Sequence, residues 1–381
     1  MPDETHSHST HKPVIWSDWH SQLQHRITTV EQLREWINVT EHEEKAIKAC
    51  AGKYRWGVTP YYASLMDKQD EMCPIRQQVV PSLLELEHFP NASVDPVGDR
   101  IYRQTNRVVH KYPDRVLVLV TQLCPTYCRY CTRKYHTMDS DGTYFEKNEA
   151  ASWEKDYDYV ASHPAIRDVL LSGGDPLMYS DSKLDQIISR LRQIPHVEII
   201  RVGSRFPVVL PQRITLELCS MLEQYHPVWL NTHFNHPKEI TPEAAQACDR
   251  LLRHGIVVQN QTVLLQGIND HLPTMRALLH ELLKIRVRPY YLYHCDNAVG
   301  VSHFVTSLEK GRELMRGLLG YTTGFAVPQY VLTTPLGKIP LWEENLHRND
   351  EGSWVENYKG ETMNVQDLLI SDNQPQGKEE S

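Results

Sequence analysis

Short apolar runs alternate with amphipathic helical patterns from Val116 to about residue 320, and this alternation limits the folds open to the chain. Apolar runs of this length, separated by helices, predict βαβ units and a parallel sheet. The six predicted strands are 116–121, 167–173, 197–203, 228–234, 257–265 and 287–295. The six predicted helices are 149–163, 181–193, 213–225, 242–254, 272–285 and 307–320. Six such units predict an α/β protein with a partial (β/α)6 barrel, whose functional groups are expected at the C-terminal ends of the strands.

Segments with other patterns flank the predicted barrel. The chain is predicted to divide into a disordered tail, an N-terminal helical extension, the barrel core, a C-terminal segment and a second disordered tail, at 1–14, 15–110, 111–325, 326–370 and 371–381. In the extension, Thr29 and Gln32 fit a helix capping box. The C-terminal segment begins with a strand, a turn and a second extended run. The two tails are short of apolar residues, which is why they are predicted to be disordered.

The composition excludes several classes of function. A net charge of −8 and a pI near 6.2 argue against a nucleic-acid-binding protein, which would carry a basic patch. The sequence shows no run of about 18 apolar residues that would predict a membrane span. Its start has no apolar segment typical of a secretion signal. Five of the eight cysteines are scattered, which predicts free thiols in a reducing cytoplasm.

Three cysteines stand close together in TQLCPTYCRYCTRKY, directly after the first predicted strand. Cys124, Cys128 and Cys131 have the spacing C-x3-C-x2-C. Three thiolates can hold three irons of a [4Fe-4S] cluster and leave the fourth iron open to bind and reduce a small molecule. The alternative is a zinc site with His136 as the fourth ligand, although zinc usually selects paired C-x2-C or H-x3-H spacing. A zinc-bound barrel that acts as a binding module is the corresponding non-enzyme alternative.

The second predicted strand ends in Ser172, followed by Gly173, Gly174 and Asp175. Two glycines allow another group to approach the backbone closely, and the carboxylate offers hydrogen-bond acceptors to an ammonium group. Such a turn is by itself more often structural. It becomes specific in this chain because it lies one βα unit after the cysteine run.

These two motifs resemble the radical S-adenosylmethionine (SAM) superfamily, in which the cysteines hold the cluster and the glycine-glycine-acid turn holds the amino group of SAM. Longer stretches resemble the lysine 2,3-aminomutase family over residues 80 to 345. They are KYPDRVLVLVTQLC, RDVLLSGGDPLM, IPHVEIIRVGSRFPVVLPQRIT, HPVWLNTHFNHPKEIT and VRPYYLYHCD. The resemblance implies an isomerase that uses a [4Fe-4S] cluster, SAM and pyridoxal 5′-phosphate (PLP) to move an amino group from C2 to C3 of an amino acid.

The resemblance also implies which residues hold the cofactors. Lys338 in TTPLGKIP matches the family's PLP lysine, which forms an imine with the cofactor, although the turn before it is about two residues shorter in this chain. The residues assigned to SAM by motif position are Ser172, Gly173, Gly174, Asp175, His233 and Gln261. Those assigned to PLP are Lys338, Arg115, Lys111 and Asn260.

The same resemblance implies a substrate site. Arg133 is expected to grip the substrate carboxylate, because a guanidinium offers a bidentate fork. The family's lysine enzymes bind the side-chain ammonium with two carboxylates. One of these matches Asp296, whereas the other falls on Thr333, which is not acidic. Retention of Asp296 argues against an acidic substrate.

Two cationic substrates fit this pattern. L-Lysine, giving β-lysine, is favoured by its frequency in the family. L-Arginine, giving β-arginine, is the alternative, because threonine and a shorter turn leave room for a guanidinium. A relative that isomerises lysine for attachment to elongation factor P is a further alternative. The expected partners are a small amino acid substrate, an electron donor such as flavodoxin or ferredoxin, and further copies of the chain in a homo-oligomer, with neither nucleic acid nor membrane.

Overall fold

The computed structural model of the protein describes residues 14–137, 149–341, 346–349, 352–357 and 359–364. The tail predicted at 371–381 and all but the last residue of the tail predicted at 1–14 lie outside the described residues. Within the described ranges, no helix is both long enough and apolar enough to cross a membrane.

A nine-stranded sheet forms a nearly closed barrel. In chain order, which is also the order in the sheet, its strands are β1 (Val108–Tyr112), β2 (Arg115–Thr121), β3 (Asp168–Gly173), β4 (Ile199–Gly203), β5 (Val228–Thr232), β6 (Val257–Leu264), β7 (Arg288–His294), β8 (Gln329–Thr334) and β9 (Gly337–Pro340). Strands β2 to β8 are parallel, whereas β1 and β9 are antiparallel to their neighbours and form the two edges. A separate small sheet contains β10 (Leu346–Asn349), β11 (Gly352–Glu356) and β12 (Thr362–Asn364).

The predicted α/β class and the partial barrel are confirmed. The six predicted strands correspond to β2 through β7, with ends that differ by two residues at most. Strands β8 and β9 confirm the strand, turn and extended run predicted for the C-terminal segment, and β8 adds a seventh parallel strand. Strand β1 is not among the predicted strands. It pairs with β2 across the tight turn at Pro113 and Asp114, and it spans the boundary predicted between residues 110 and 111.

The N-terminal extension consists of short helices separated by turns. They are α1 (Trp19–Gln24), α2 (Val30–Arg34), α3 (Glu41–Cys50), α4 (Pro60–Ala63) and α5 (Pro74–Gln77). The capping box predicted at Thr29 and Gln32 is present at the start of α2, and a second box formed by Thr40 and Glu43 starts α3. These caps satisfy the first backbone N–H groups of each helix, so short helices can begin at defined residues.

The remaining helices are α6 (Lys134–Thr137), α7 (Glu149–Ala161), α8 (Asp181–Arg192), α9 (Phe206–Val209), α10 (Leu216–Glu223), α11 (Pro242–Arg253), α12 (Leu272–Lys284) and α13 (Leu308–Leu318). All six predicted helices are present, with ends that differ by three residues at most. Ser180, Thr215 and Thr241 cap α8, α10 and α11, each through a hydroxyl that accepts a hydrogen bond from a backbone N–H three residues later. Side-chain caps of this kind explain why the helix starts could be predicted closely.

Alternation along the strands separates the core of the protein from the interior of the barrel. In β3, Val169 and Leu171 are buried against the helical layer, whereas Leu170 and Ser172 line the interior. Successive side chains of a strand point to opposite faces, so each parallel strand contributes to both environments. The apolar contacts therefore hold the helices in place and leave polar side chains free to face inward.

A buried ion-pair cluster fastens the extension to the cysteine loop, which we define as Cys124–Cys131. Glu85 lies on a 3-10 helix of the extension and accepts hydrogen bonds from Arg129 Nε at 2.8 Å and Lys134 Nζ at 2.6 Å. All three side chains are buried. Burial favours a raised pKa for Glu85, but Arg129 and Lys134 outweigh burial and lower the pKa to about 2. Glu85 therefore remains ionised, and its hydrogen bonds with Arg129 and Lys134 hold the cysteine loop against the N-terminal extension.

Glu85→Gln is expected to lower the free energy of unfolding by about 3–5 kcal/mol, because it leaves two buried cations without their carboxylate. Because the folded pKa lies below the ordinary value of 4.5, the contribution of Glu85 is complete above that pH and is lost as the pH falls toward 2. Urea unfolding at several pH values measures both effects. Glu198→Gln is the matched control, since Glu198 pairs with Arg167 at the surface, where solvent screens the pair and its loss is expected to change stability little. Equally small losses of unfolding free energy in the two variants would contradict the conclusion that Glu85 stabilises the cysteine loop.

Candidate active site

The barrel encloses a cavity of about 610 Å³ that reaches both ends of the strands. Nine predicted site residues line it: Lys111, Arg115, Arg133, Ser172, His233, Gln261, Asp296, Thr333 and Lys338. His233 and Asp296 lie just beyond the C-terminal ends of β5 and β7, as expected for a parallel barrel. Arg115 departs from that expectation because it begins β2 at the opposite end. The cavity can therefore hold a ligand that extends along the barrel axis.

The cysteine loop follows β2 at the C-terminal end of the barrel. Arg205 Nη1 donates a hydrogen bond to Cys128 Sγ at 2.8 Å, and Arg26 Nη1 donates to the backbone oxygen of Cys124 at 2.8 Å. Burial, followed by the nearby Cys131, raises the pKa of Cys124 well above its ordinary value. If all three cysteines were thiolates, they would repel each other unless positive charge were added. This donor set fits a [4Fe-4S] cluster, whose irons supply that charge.

His136, the ligand considered for a zinc site, is buried beside β2. Its Nε2 lies 3.2 Å from the backbone oxygen of Thr121, and burial lowers the pKa of the ring to about 3. The ring is therefore neutral, and this nitrogen is engaged by the backbone. In the part of the chain that the structure describes, no three His, Cys, Asp or Glu side chains are placed to hold a single metal ion.

The glycine turn after β3 packs directly against the start of the cysteine loop. The N–H of Gly174 donates to the backbone oxygen of Thr121 at 2.5 Å, and the N–H of Asp175 donates to that of Leu123 at 2.8 Å. A Cβ at position 174 would lie 2.3 Å from the oxygen of Leu123, and Gly173 has a φ of +116°. Both positions therefore require glycine, for approach to the chain itself as well as to any ligand.

Two predicted ligand-binding side chains bond to the backbone instead of lining the cavity. The carboxylate of Asp175 accepts hydrogen bonds from Leu177 N at 3.0 Å and Arg205 N at 2.8 Å, and burial raises the pKa of this acid to about 6. The side chain of Asn260 accepts from Phe234 N and donates to Phe234 O. Both residues shape the loops at the C-terminal end of the barrel. The contacts of Asp175 with SAM and of Asn260 with PLP stay predictions.

Lys338 enters the cavity from the edge strand β9. It pairs with Thr333 across the β8–β9 hairpin, whose turn contains only Pro335 and Leu336. Its ammonium position lies over the rings of Tyr291 and Tyr293, at 4.8 and 5.3 Å from their centroids.

The pKa of Lys338 is lowered to about 7, first by burial and then by the positive charges of Arg201 and Arg115. A large share of the amine is therefore neutral and nucleophilic near neutral pH. Lys338 combines this reactivity with access to the cavity, as covalent attachment of an aldehyde cofactor requires.

Arg133 is held by an acid that the sequence did not suggest. Asp99, a buried residue of the extension, accepts a hydrogen bond from Arg133 Nε at 2.6 Å. Among the described residues, none bonds the two terminal nitrogens of Arg133, which lines the cavity. The bond to Asp99 thus fixes the guanidinium through Nε and leaves its two terminal nitrogens available to a ligand. No local pattern around VGDR indicated Asp99, because its partner is distant in the chain.

Asp296 lies on the cavity wall directly after β7. Its Oδ2 accepts a hydrogen bond from Thr132 Oγ1 at 2.6 Å. Burial raises the pKa of Asp296 to about 6, against the lowering effects of Thr132 and Arg133. A cation bound beside it would lower that pKa and stabilise the carboxylate. Thr333 contributes a hydroxyl, not a charge, to the same cavity.

Other cations line the cavity, each with a polar partner. Arg115 pairs with Asp114 at 2.7 Å and lies over the ring of Tyr112, and Arg201 pairs with Asp168 at 2.8 Å. Arg201 is absent from the predicted site residues, because an arginine inside an apolar strand gives no local sign of facing a cavity. Lys111 was assigned to PLP, but its ammonium donates to the backbone oxygens of Val97 and Thr334.

His233 and Gln261 stand on neighbouring elements at the C-terminal end of the cavity. The ring of His233 stacks on Tyr130 with 5.5 Å between centroids. Burial, followed by the charge of Arg205, lowers the pKa of His233 to about 3. His233 is therefore a neutral donor or acceptor at physiological pH. Together with Ser172 these residues offer uncharged hydrogen-bonding groups to a ligand near the cysteine loop.

Comparisons with known proteins identify a family profile and several relatives of the chain. The sequence profile of the radical SAM superfamily matches residues 118–279. A protein named L-lysine 2,3-aminomutase from Fusobacterium nucleatum is 48% identical and covers 86% of this chain and 76% of its own length. One of the same name from Clostridium subterminale is 48% identical over 86% of this chain and 78% of its own. Glutamate 2,3-aminomutase from Clostridioides difficile is 41% identical over 92% of this chain and 83% of its own length.

The amine of Lys338 is expected to titrate near pH 7. Acetylation with limiting reagent at a series of pH values, read by mass spectrometry of the peptide that contains Lys338, gives the midpoint. Arg201→Gln removes the strongest of the nearby positive charges, so it is expected to move the midpoint upward. A wild-type midpoint near the ordinary lysine value of about 10.4 would contradict the assignment of a buried, reactive amine.

Proposed function

This chain belongs to the lysine 2,3-aminomutase family of radical SAM enzymes, and we propose that it moves the α-amino group of free L-lysine from C2 to C3, giving β-lysine. The observation that carries the proposal is that Lys338, Arg133 and Asp296 line one cavity. They offer an amine for a cofactor, a cation for the substrate carboxylate and a carboxylate for the substrate ammonium. These are the three polar functions that rearrangement of a cationic amino acid requires.

Membership of the radical SAM superfamily implies a [4Fe-4S] cluster and SAM. Cys124, Cys128 and Cys131 would hold three irons, and the neutral groups of Ser172, His233 and Gln261 would contact SAM where the cavity meets the cysteine loop. When bound, the cluster and SAM supply a carbon radical, and PLP supplies the conjugated carrier for the migrating nitrogen. The barrel wall orients these groups and excludes water from them.

Lys338 is proposed to hold PLP covalently. Its neutral form, present near pH 7, can attack the cofactor aldehyde without a separate base. Arg115 and Arg201 line the same cavity and are suited to neutralise a phosphate, since guanidinium groups bind phosphate oxygens in pairs. Their carboxylate partners, Asp114 and Asp168, keep both side chains extended along the wall.

Arg133 is proposed to bind the substrate carboxylate. Asp99 occupies its Nε, so the two terminal nitrogens can form parallel hydrogen bonds with two carboxylate oxygens. A lysine at this position would present a single rotating ammonium and would lose that alignment. Orientation of the substrate relative to the radical source depends on this fork, because a misplaced reacting carbon slows hydrogen abstraction.

Asp296 is proposed to bind the side-chain ammonium of lysine. Thr132 holds one oxygen of the carboxylate, which leaves Oδ1 for the ligand. An acidic substrate would place two negative groups together in a buried site, which is costly. The names of the relatives agree with a cationic substrate in most cases, although one of them acts on glutamate.

L-Arginine is a second candidate substrate, and one observation favours it. The β8–β9 turn contains only two residues, and Thr333 stands where the family's lysine enzymes place a second carboxylate. A guanidinium can form two parallel hydrogen bonds with the single carboxylate of Asp296, so it has less need of a second acid.

The physiological setting that we propose follows from the chemistry. A low-potential donor such as flavodoxin or ferredoxin would reduce the cluster. A reducing cytoplasm would preserve the cluster and the free thiols of the chain. We further propose a homo-oligomer, in line with the extended N-terminal segment.

Lys338→Ala is expected to retain iron and acid-labile sulfide after anaerobic reconstitution but to lose covalent PLP. Absorbance of bound PLP, and borohydride reduction followed by mass spectrometry of the lysine peptides, measure the loss. Lys284→Ala is the control, because Lys284 is an exposed surface residue. Zinc without sulfide in the wild-type protein would contradict the radical mechanism, and PLP trapped on another lysine would contradict the role of Lys338.

The reconstituted enzyme with SAM, PLP and a reductant is expected to convert L-lysine to β-lysine, with little turnover of ornithine or glutamate. Chromatography with mass spectrometry separates the α and β isomers. Asp296→Asn is expected to raise KM for lysine at least about tenfold, because it removes a buried charge partner, while KM for SAM stays unchanged. Preferential turnover of arginine would select the second candidate, and turnover of glutamate alone would contradict the role of Asp296.

A further inference from the structure

The two edge strands of the barrel, β1 and β9, meet through side chains of β1. The backbone N–H of Lys338 donates a hydrogen bond to Tyr112 Oη at 2.9 Å. One residue earlier, Lys111 Nζ donates to the backbone oxygen of Thr334 at 3.2 Å, in the adjoining strand β8. Consecutive residues of β1 thus hold both strands of the hairpin that presents Lys338 to the cavity.

The hairpin itself leaves the N–H of Lys338 unpaired. Thr334 and Gly337 flank the two-residue turn, and in such hairpins the flanking residues form the hydrogen-bonded pair. The next pair, Thr333 and Lys338, is then a non-hydrogen-bonded pair whose N–H groups point away from the partner strand. Tyr112 therefore supplies the acceptor that a further strand would supply in a closed barrel.

The surroundings of Tyr112 are built to accommodate its ring. A Cβ at Gly337, which has a φ of +123°, would lie 3.1 Å from Tyr112 Oη. The guanidinium of Arg115 lies 3.8 Å from the centroid of the ring. Tyr112 is thus in contact with both the strand that bears Lys338 and an arginine of the cavity wall.

We propose that Tyr112 is a positioning residue for Lys338: its hydroxyl, assisted by the ammonium of Lys111, latches the β8–β9 hairpin to β1 and fixes the backbone of the lysine beside the cavity. The inference rests on the proposed attachment of PLP to Lys338. It assigns Lys111 to the hairpin backbone, whereas the family resemblance assigned it to the cofactor. Without the latch, a four-residue edge strand is held only by its pairing with β8 and by local packing, so its amides should open more readily.

The test compares wild type with Tyr112→Phe in two measurements. Hydrogen exchange on the protein without PLP should show roughly three- to tenfold faster exchange in the peptide that spans residues 334–340, the effect of one lost hydrogen bond. PLP titration, followed by absorbance and by borohydride trapping, should show weaker binding by a similar factor. Lys111→Met should also speed exchange in the protein without PLP, which a residue that served only to bind phosphate would not do.

Tyr330→Phe is the matched control. Tyr330 lies on the same hairpin, but its hydroxyl bonds to His294 and packs toward α13, away from the cavity. This variant should leave PLP affinity and exchange at residues 334–340 as in wild type. Faster exchange with unchanged PLP affinity in Tyr112→Phe would overturn the positioning role, and weaker affinity with unchanged exchange would overturn the latch. If wild type does not bind PLP at Lys338, the proposed function fails, while the exchange data still decide whether the latch exists.

Discussion

Parallel pairing of β2 with β3 is the constraint on which the candidate site depends. The two strands pair from Arg115 and Asp168 to Thr121 and Gly173, with one shift of register between Leu119 and Thr121, and the loops that follow them emerge side by side. Hydrogen bonds from the N–H groups of Gly174 and Asp175 then join the second loop to the start of the first. From the other side, Glu85 holds the cysteine loop through Arg129 and Lys134. Contacts within the protein therefore position the loop, and the two motifs meet although they are distant in sequence.

At one pH, the cavity contains arginines that stay charged and a lysine amine that can lose its proton. Arg115, Arg133 and Arg201 each pair with an aspartate and stay charged, because a guanidinium does not lose its proton in proteins. Lys338 lies over aromatic rings near these arginines, and its amine can lose a proton readily. Burial, followed by the same positive charges that suit the cavity to anionic groups, thus makes the lysine nucleophilic. The proposed binding of a phosphate and part of the activation of the amine would both follow from this charge distribution.

The sequence predicted the barrel closely because its information is periodic and local. Apolar runs and helical patterns recur in each unit, so the strands and helices of the core could be located to within a few residues. The site was predicted less completely. Asp99 and Tyr112 act through partners far away in the chain, which no local pattern indicates. For Asp175 and Asn260 the motif identified the residue, but the direction of a side chain depends on the loops that surround it.

In the proposed function, the length of the β8–β9 turn links the position of the cofactor lysine to the choice of substrate. With two residues in the turn, Thr333 is directly opposite Lys338, and side chains of such a pair lie on the same face of the hairpin. A carboxylate at position 333 would attract a cationic substrate, but it would also favour the protonated form of the neighbouring lysine. With threonine there, burial and the nearby cations lower the pKa of the amine without an opposing carboxylate across the hairpin. In the proposed function, Asp296 then binds the substrate cation, and its carboxylate does not face the reactive amine across the hairpin.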